Sequence, residues 1–219
     1  MKPQREILLK EKSLMNKVEQ LRERFRKNLR QTTEGSATIP WKDFSMELFQ
    51  FQARANPVYR KFVELMGVEP SAVKSIEEIP FLPVELYQKQ RISVFQNSAF
   101  DAHCFASSGT TGSSPSLHPV DDLDWYDEVA FEGFARLVVS WSQSPIFIGL
   151  LPGYLERNNS SLVHMVQSFM IKANQSNPED WFFLREFEAL EMELKRLHET
   201  GFPQDRPIYI IGVTHALLA

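Results

Sequence analysis

The residues best suited to chemistry in this 219-residue chain lie at 105–122, FASSGTTGSSPSLHPVDD. Ser107, Ser108, Gly109, Thr110, Thr111 and Gly112 gather four hydroxyls and two glycines, and Ser113, Ser114 and Ser116 follow. Glycine permits positive φ angles and a close backbone approach to a ligand. Hydroxyls and backbone N–H groups supply the donors that phosphate oxygens need. Phosphate binding is therefore the chemistry this stretch suits. Composition alone also describes an ordinary solvated loop, so the reading depends on residue order and on the flanking elements. No lysine follows Gly112 until Lys172, which leaves His118 and Arg157 as basic candidates to share an anion's charge.

Two further polar segments could join the first. In 150–165, LLPGYLERNNSSLVHM, the run Asn158, Asn159, Ser160 and Ser161 stands where a helix begins. Free N–H groups at such an end bind anions, although one of these residues could equally serve as a simple cap. Glu156 and Arg157 form either a surface ion pair or an inward-turned charge. The third segment is Gly212–His215 in GVTHALLA, where Thr214 is placed to cap a last helix.

The elements that must hold these segments follow from periodicity. Over 3–30, Ile7, Leu14, Val18, Leu21, Phe25 and Leu29 recur on one helical face, with Lys and Arg over most of the rest. That basic helix suits packing on its own acidic body, self-association through 3–30, or a membrane surface, the last disfavoured by its glutamates. A polar linker is expected at 31–38. A second helix follows Pro40 with Trp41, Phe44, Leu48, Phe51 and Ala55 on one stripe. Asn56-Pro57 starts a third, with Tyr59, Phe62, Val63 and Met66 inward and Gly67 as its stop. A stiff apolar connector occupies 79–83.

Strands are expected at 91–95, 102–106, 145–151, 181–184 and 207–212, the third and last fully buried. Helices are expected from about 122 to 141 with Asp121 or Asp122 as cap, from Asn159 or Ser160 to 173, and from 187 to near 201. Cys104, inside a strand, reads as a buried small hydrophobe. The alternation predicts an α/β fold, a layered sheet with flanking helices, preceded by a helical N-terminal region. Ligands of such sheets sit at the carboxyl ends of the strands, where all three polar segments fall.

Composition narrows the class. The chain is 43% hydrophobic and carries a net charge of −4. Residues 1–30 hold a balance of +6 and the remainder −10, an acidic body that argues against nucleic-acid binding. No run approaches the roughly 18 apolar residues of a membrane span. The charged N-terminus lacks a secretory core, and the single cysteine excludes an internal disulfide or a cysteine cage. A cytoplasmic location is expected.

SSGTTG resembles the signature loop of the adenylate-forming enzymes, differing in the absence of the lysine that commonly follows the last glycine. EIPFLPVELYQKQRI, SSGTTG with His118 and Asp121, LLPGYLERNNSSLVHM and IGVTHALL together resemble the LuxE-type acyl-protein synthetases over 41–219. The resemblance implies a basic helical extension and linker at 1–38 and an α/β synthetase domain at 39–219. It implies ATP and Mg²⁺, with Ser107–Gly112 and His118 around the β- and γ-phosphates, and activation of a fatty acid or other carboxylate as acyl-adenylate. Transfer through a thioester to an acyl-reductase partner would follow. Tyr154, Arg157, Asn159, Ser160, Gly212 and Thr214 would border the pocket. No catalytic residue is assigned, because the family's late lysine and cysteine have no counterpart here, so the chain is expected to be an N-terminal portion, inactive alone. A non-catalytic phosphate-binding module is the alternative. A serine hydrolase using His118 or His164 lacks the G-x-S-x-G elbow.

Overall fold

The structure, a computed structural model, describes residues 2–32, 41–107, 114–138, 145–153, 156–199 and 206–214. It is mixed α/β and mostly helical, with six α-helices and two small two-stranded sheets among the described residues. None of these helices is long and apolar enough to cross a membrane. The chain divides into two compact units, Met1–Phe100 and Asp101–Ala219.

The first unit is built on α1 (Lys2–Thr32), α2 (Trp41–Ala55) and α3 (Pro57–Leu65). The expected basic helix forms, and the first compact unit includes it together with α2. Lys17 bonds Glu47 at 2.9 Å, Arg24 pairs with the same carboxylate, and the Phe25 and Phe44 rings lie 5.9 Å apart. The linker expected at 31–38 begins inside α1, and its remainder lies outside the described residues. Helix α2 does not bury the single stripe that periodicity suggested. Phe44 turns to α1, whereas Phe49 and Ala53 enter a cluster with Tyr59, Val63 and Val73, and Leu48 is exposed. A helix with two neighbours buries two narrower faces.

Helix α3 forms as its sequence predicts. The Asn56 side chain accepts the Tyr59 N–H at 3.3 Å, Pro57 occupies the first turn, and Gly67 follows the helix at φ +67°. Asn56 is itself buried and also donates to Gln52 Oε1. Asn56→Ala should therefore lower stability by about 1–2 kcal/mol, read from urea denaturation, with Asn56→Asp losing less. Beyond α3 the chain runs through short 3₁₀ turns. The Tyr59 hydroxyl donates to the Pro80 carbonyl at 2.7 Å and ties down the apolar connector. No strand forms at 91–95, where side chains bond the backbone locally, as Arg91 does to the Phe95 carbonyl.

The second unit contains β1 (His103–Ala106), β2 (Leu117–Val120), α4 (Leu123–Leu137), β3 (Ile146–Leu150), α5 (Ser161–Lys172), α6 (Phe187–Glu199) and β4 (Ile208–Gly212). Strands β1 and β2 form an antiparallel hairpin, so the polar turn joins two strands instead of leading directly into a helix. Strand β2 escaped the sequence reading because it contains Pro119. Ser107 and Ser116 bond each other, which puts Pro119, opposite Cys104, at a position whose missing N–H would point away from β1. Phe105 takes the inward place on β1 and is buried, which leaves Cys104 exposed rather than buried as expected.

Strands β3 and β4 pair in parallel, Ile146 opposite Ile208 through Leu150 opposite Gly212. Every residue of β3 is buried because helices cover both of its faces. Phe147 and Leu151 pack with Val163, Val166, Phe169 and Met170 of α5, while Ile146, Ile148 and Leu150 pack with Phe183, which precedes α6, and with Leu197 of α6. The 181–184 strand reduces to one parallel bridge, Phe182 with Gly149. A Cβ on Gly149 would sit 2.6 Å from the Phe182 ring, so that close approach requires glycine. Strand β4 is only half buried, correcting the expectation of a fully buried strand. Tyr209 and Ile211 face the α5 cluster, but Ile208 and Ile210 are 38% and 44% exposed. Among the described residues the single layered sheet expected from the alternation is thus replaced by two separate two-stranded sheets, β1 with β2 and β3 with β4.

Candidate functional site

The site starts from the base of the polar turn. The Ser107 N–H donates to the Ser116 carbonyl at 3.0 Å, and the Ser116 N–H donates to the Ser107 hydroxyl oxygen at 2.9 Å. Ser107 thus closes the hairpin stem. Ser108, Gly109, Thr110, Thr111 and Gly112, the rest of the predicted phosphate turn, lie outside the described residues, as does Tyr154.

The other edge of β1 reaches the second polar segment. Register turns the Ala106 N–H away from β2, and the Asn159 carbonyl receives it at 2.8 Å. Upstream, the Glu156 and Arg157 N–H groups both donate to the Gly153 carbonyl at 3.1 Å, and Ser160 N–H donates to the Arg157 carbonyl. Ser160 caps α5, its hydroxyl oxygen accepting from Val163 N–H at 3.4 Å. The capping choices left open by the sequence resolve to Ser160 for α5 and Asp122 for α4, the latter accepting from Trp125 N–H at 3.0 Å. The Asn159 side chain is exposed.

Of the aromatic and ionisable group between these elements, the sequence reading named only His164, in the hydrolase alternative. His164 Nε2 lies 3.0 Å from Asp127 Oδ1, joining α5 to α4. The Tyr126 hydroxyl donates to the Ser161 carbonyl at 3.2 Å, and burial raises its pKa, which keeps the phenol protonated. Phe105 packs against both, its ring 5.0 Å from Tyr126 and 5.4 Å from His164, whose own rings lie 5.7 Å apart. His103 stacks near His164 at 6.3 Å, and its Nε2 is buried with no hydrogen-bond partner among the described residues. Tyr126 and Asp127 sit in the first turns of a helix whose apolar pattern masked them. Only the packing of β1 across α4 and α5 brings them to the base of the turn.

His118 lies on β2 opposite Phe105, not in the loop. Desolvation by the surrounding protein lowers its pKa. At neutral pH it is a neutral imidazole, able to donate a hydrogen bond but not a charge. Arg157 is half-buried and has no carboxylate partner among the described residues. Gly212 ends β4 beside Leu150, and exposed Thr214 follows it, so the third segment adjoins the exit of β3. The structure therefore joins the first segment to the second by a hydrogen bond, and the third to β3 by sheet pairing. No protein family, curated protein or solved structure matches this chain.

Proposed function

We propose that this chain is the nucleotide-handling portion of an adenylating enzyme of the LuxE-type acyl-protein synthetase kind, its two sheets belonging to an adenylate-forming-type α/β domain. The observation that carries the reading is the anchoring of the hydroxyl-rich turn. The bond from Ala106 to Asn159 and the Ser107–Ser116 pairing start that turn beside the N-terminus of α5. The N–H groups of that helix end favour an anion next to the turn. In this reading Thr110, Thr111 and the glycine amides would donate to a triphosphate there, and Arg157 would take the place of the missing lysine. Mg²⁺ would enter with the nucleotide, held by phosphate oxygens and hydroxyls. ATP supplies the electrophilic phosphorus that a fatty acid or other carboxylate attacks, and the turn orients the leaving pyrophosphate. Delivery of the acyl group to a reductase partner belongs to the same proposal.

Titration of the chain with MgATP by calorimetry tests the reading. Thr110→Val/Thr111→Val and Arg157→Gln should each weaken binding about tenfold or more, since each removes hydrogen bonds to a charged group. Absence of ATP binding by the unmodified chain would remove the proposal. Carboxylate-dependent pyrophosphate exchange, measured with a segment carrying the family's late lysine supplied, marks the enzyme; binding without exchange even then favours a nucleotide- or phosphate-binding interaction module that performs no chemistry.

A further inference from the structure

The first unit holds a half-open cleft of about 820 Å³ between α1, the end of α2, the start of α3 and the 94–100 segment. Its volume lies within the range of small-molecule sites, roughly 300–1,000 Å³. One wall is apolar: Leu14, Phe51, Phe95 and Phe100, with the last two rings stacked at 5.3 Å. Phe95 is buried, and Leu14, Phe51 and Phe100 are half-buried. Two guanidinium groups stand at the junction of α2 and α3, where Arg54 and Arg60 are both exposed.

The charges of this cleft are unevenly compensated. Glu47 is held by Lys17 and Arg24, and the Lys17 hydrogen bond is the main reason its pKa is lowered. Among the described residues, the Arg54 guanidinium donates to the neutral Gln50 Oε1, at 3.3 Å, and the Arg60 guanidinium to the Arg54 carbonyl, at 3.4 Å. No carboxylate among the described residues pairs with either, and Glu11, the other acidic lining residue, forms no bridge to them. The Arg60 bond closes the α2 terminus and Arg54 complements its dipole. Neither role requires two guanidinium groups facing the mouth of an aromatic cleft.

We infer that this cleft binds an amphipathic anion, an apolar chain lying on Leu14, Phe51, Phe95 and Phe100 with a carboxylate- or phosphate-type head on Arg54 and Arg60. Two guanidinium groups match the oxygens of such a head, and the apolar wall gains from removing the chain from water. The site uses no residue of the nucleotide turn, so it stands or falls separately from the adenylation reading.

Calorimetric titration of the full chain with dodecanoate, dodecyl phosphate and dodecanol, all below micelle formation, tests the inference. One of the two anions should bind at one molecule per chain, more tightly than the alcohol, and the tighter of the two identifies the head group. Arg54→Gln/Arg60→Gln changes only exposed side chains and should weaken the anion roughly tenfold per arginine while leaving dodecanol unchanged. Phe51→Ser should weaken all three. Failure of both anions to bind by about 1 mM, or equal binding to the double arginine variant, would overturn the inference.

Discussion

Replacing Gln175 by leucine is expected to destabilise the second unit by about 2–6 kcal/mol, although the residue is polar and partly exposed. Its side-chain amide does the work of a missing strand. Phe147 N–H donates to Gln175 Oε1 at 2.7 Å, and Gln175 Nε2 donates to the Phe147 carbonyl at 3.0 Å. Phe147 is fully buried in β3, and β4 pairs with the other edge of that strand. Leucine would orphan both backbone groups, and each unpaired buried group costs about 1–3 kcal/mol. Urea denaturation followed by tryptophan fluorescence should show the loss, because Trp181 packs against both clusters of this unit. Gln175→Glu separates the two bonds. It keeps an acceptor but, when ionised, offers the Phe147 carbonyl no donor. Protonation restores that donor, so the variant's folded-state pKa is raised. Its deficit should shrink as pH falls toward about 4 and return as pH rises. A wild-type urea midpoint for Gln175→Leu would show that water fills the role of the amide.

Phe169→Ala is the second large effect, expected to cost about 3–5 kcal/mol. Phe169 is fully buried, its ring 4.9 Å from Phe134 of α4 and 5.5 Å from Phe147 of β3. Truncation removes the ring's burial and leaves a cavity that three elements must collapse to fill. Phe169→Leu should lose markedly less, because most of the volume stays. Hydrogen exchange of the β3 amides should accelerate by the same free energy in the alanine variant if α5 and β3 open together. Unchanged β3 protection would instead show that α5 detaches alone.

The helices were legible because their determinants are local. Asn56-Pro57, Asp122 and Ser160 stand where a helix must start, and the structure uses all three as caps. The unbroken apolar run at β3 required cover on both faces, and α5 and α6 provide it. Strand β2 was illegible for an equally local reason, since proline inside a short run argues against a strand until the register shows which way its nitrogen points. Cys104 and Ile210 carry the same lesson. Residue type predicts burial only when something covers that face, and neither position has such cover.

For the candidate site, the sequence by itself offered the residue types that the phosphate reading uses, the hydroxyls and glycines of Ser107–Gly112 and the basic Arg157, and a helix start at Asn159 or Ser160. It determined the basic character of α1 as well. Only the tertiary structure decided that Asn159 receives the Ala106 N–H, that Asp127 meets His164, and that Arg54 and Arg60 face an aromatic cleft. The physical reason is reach. Caps, turns and amphipathic faces are set by neighbours within a few residues, whereas these juxtapositions depend on strand pairing and helix packing that the whole chain must settle together.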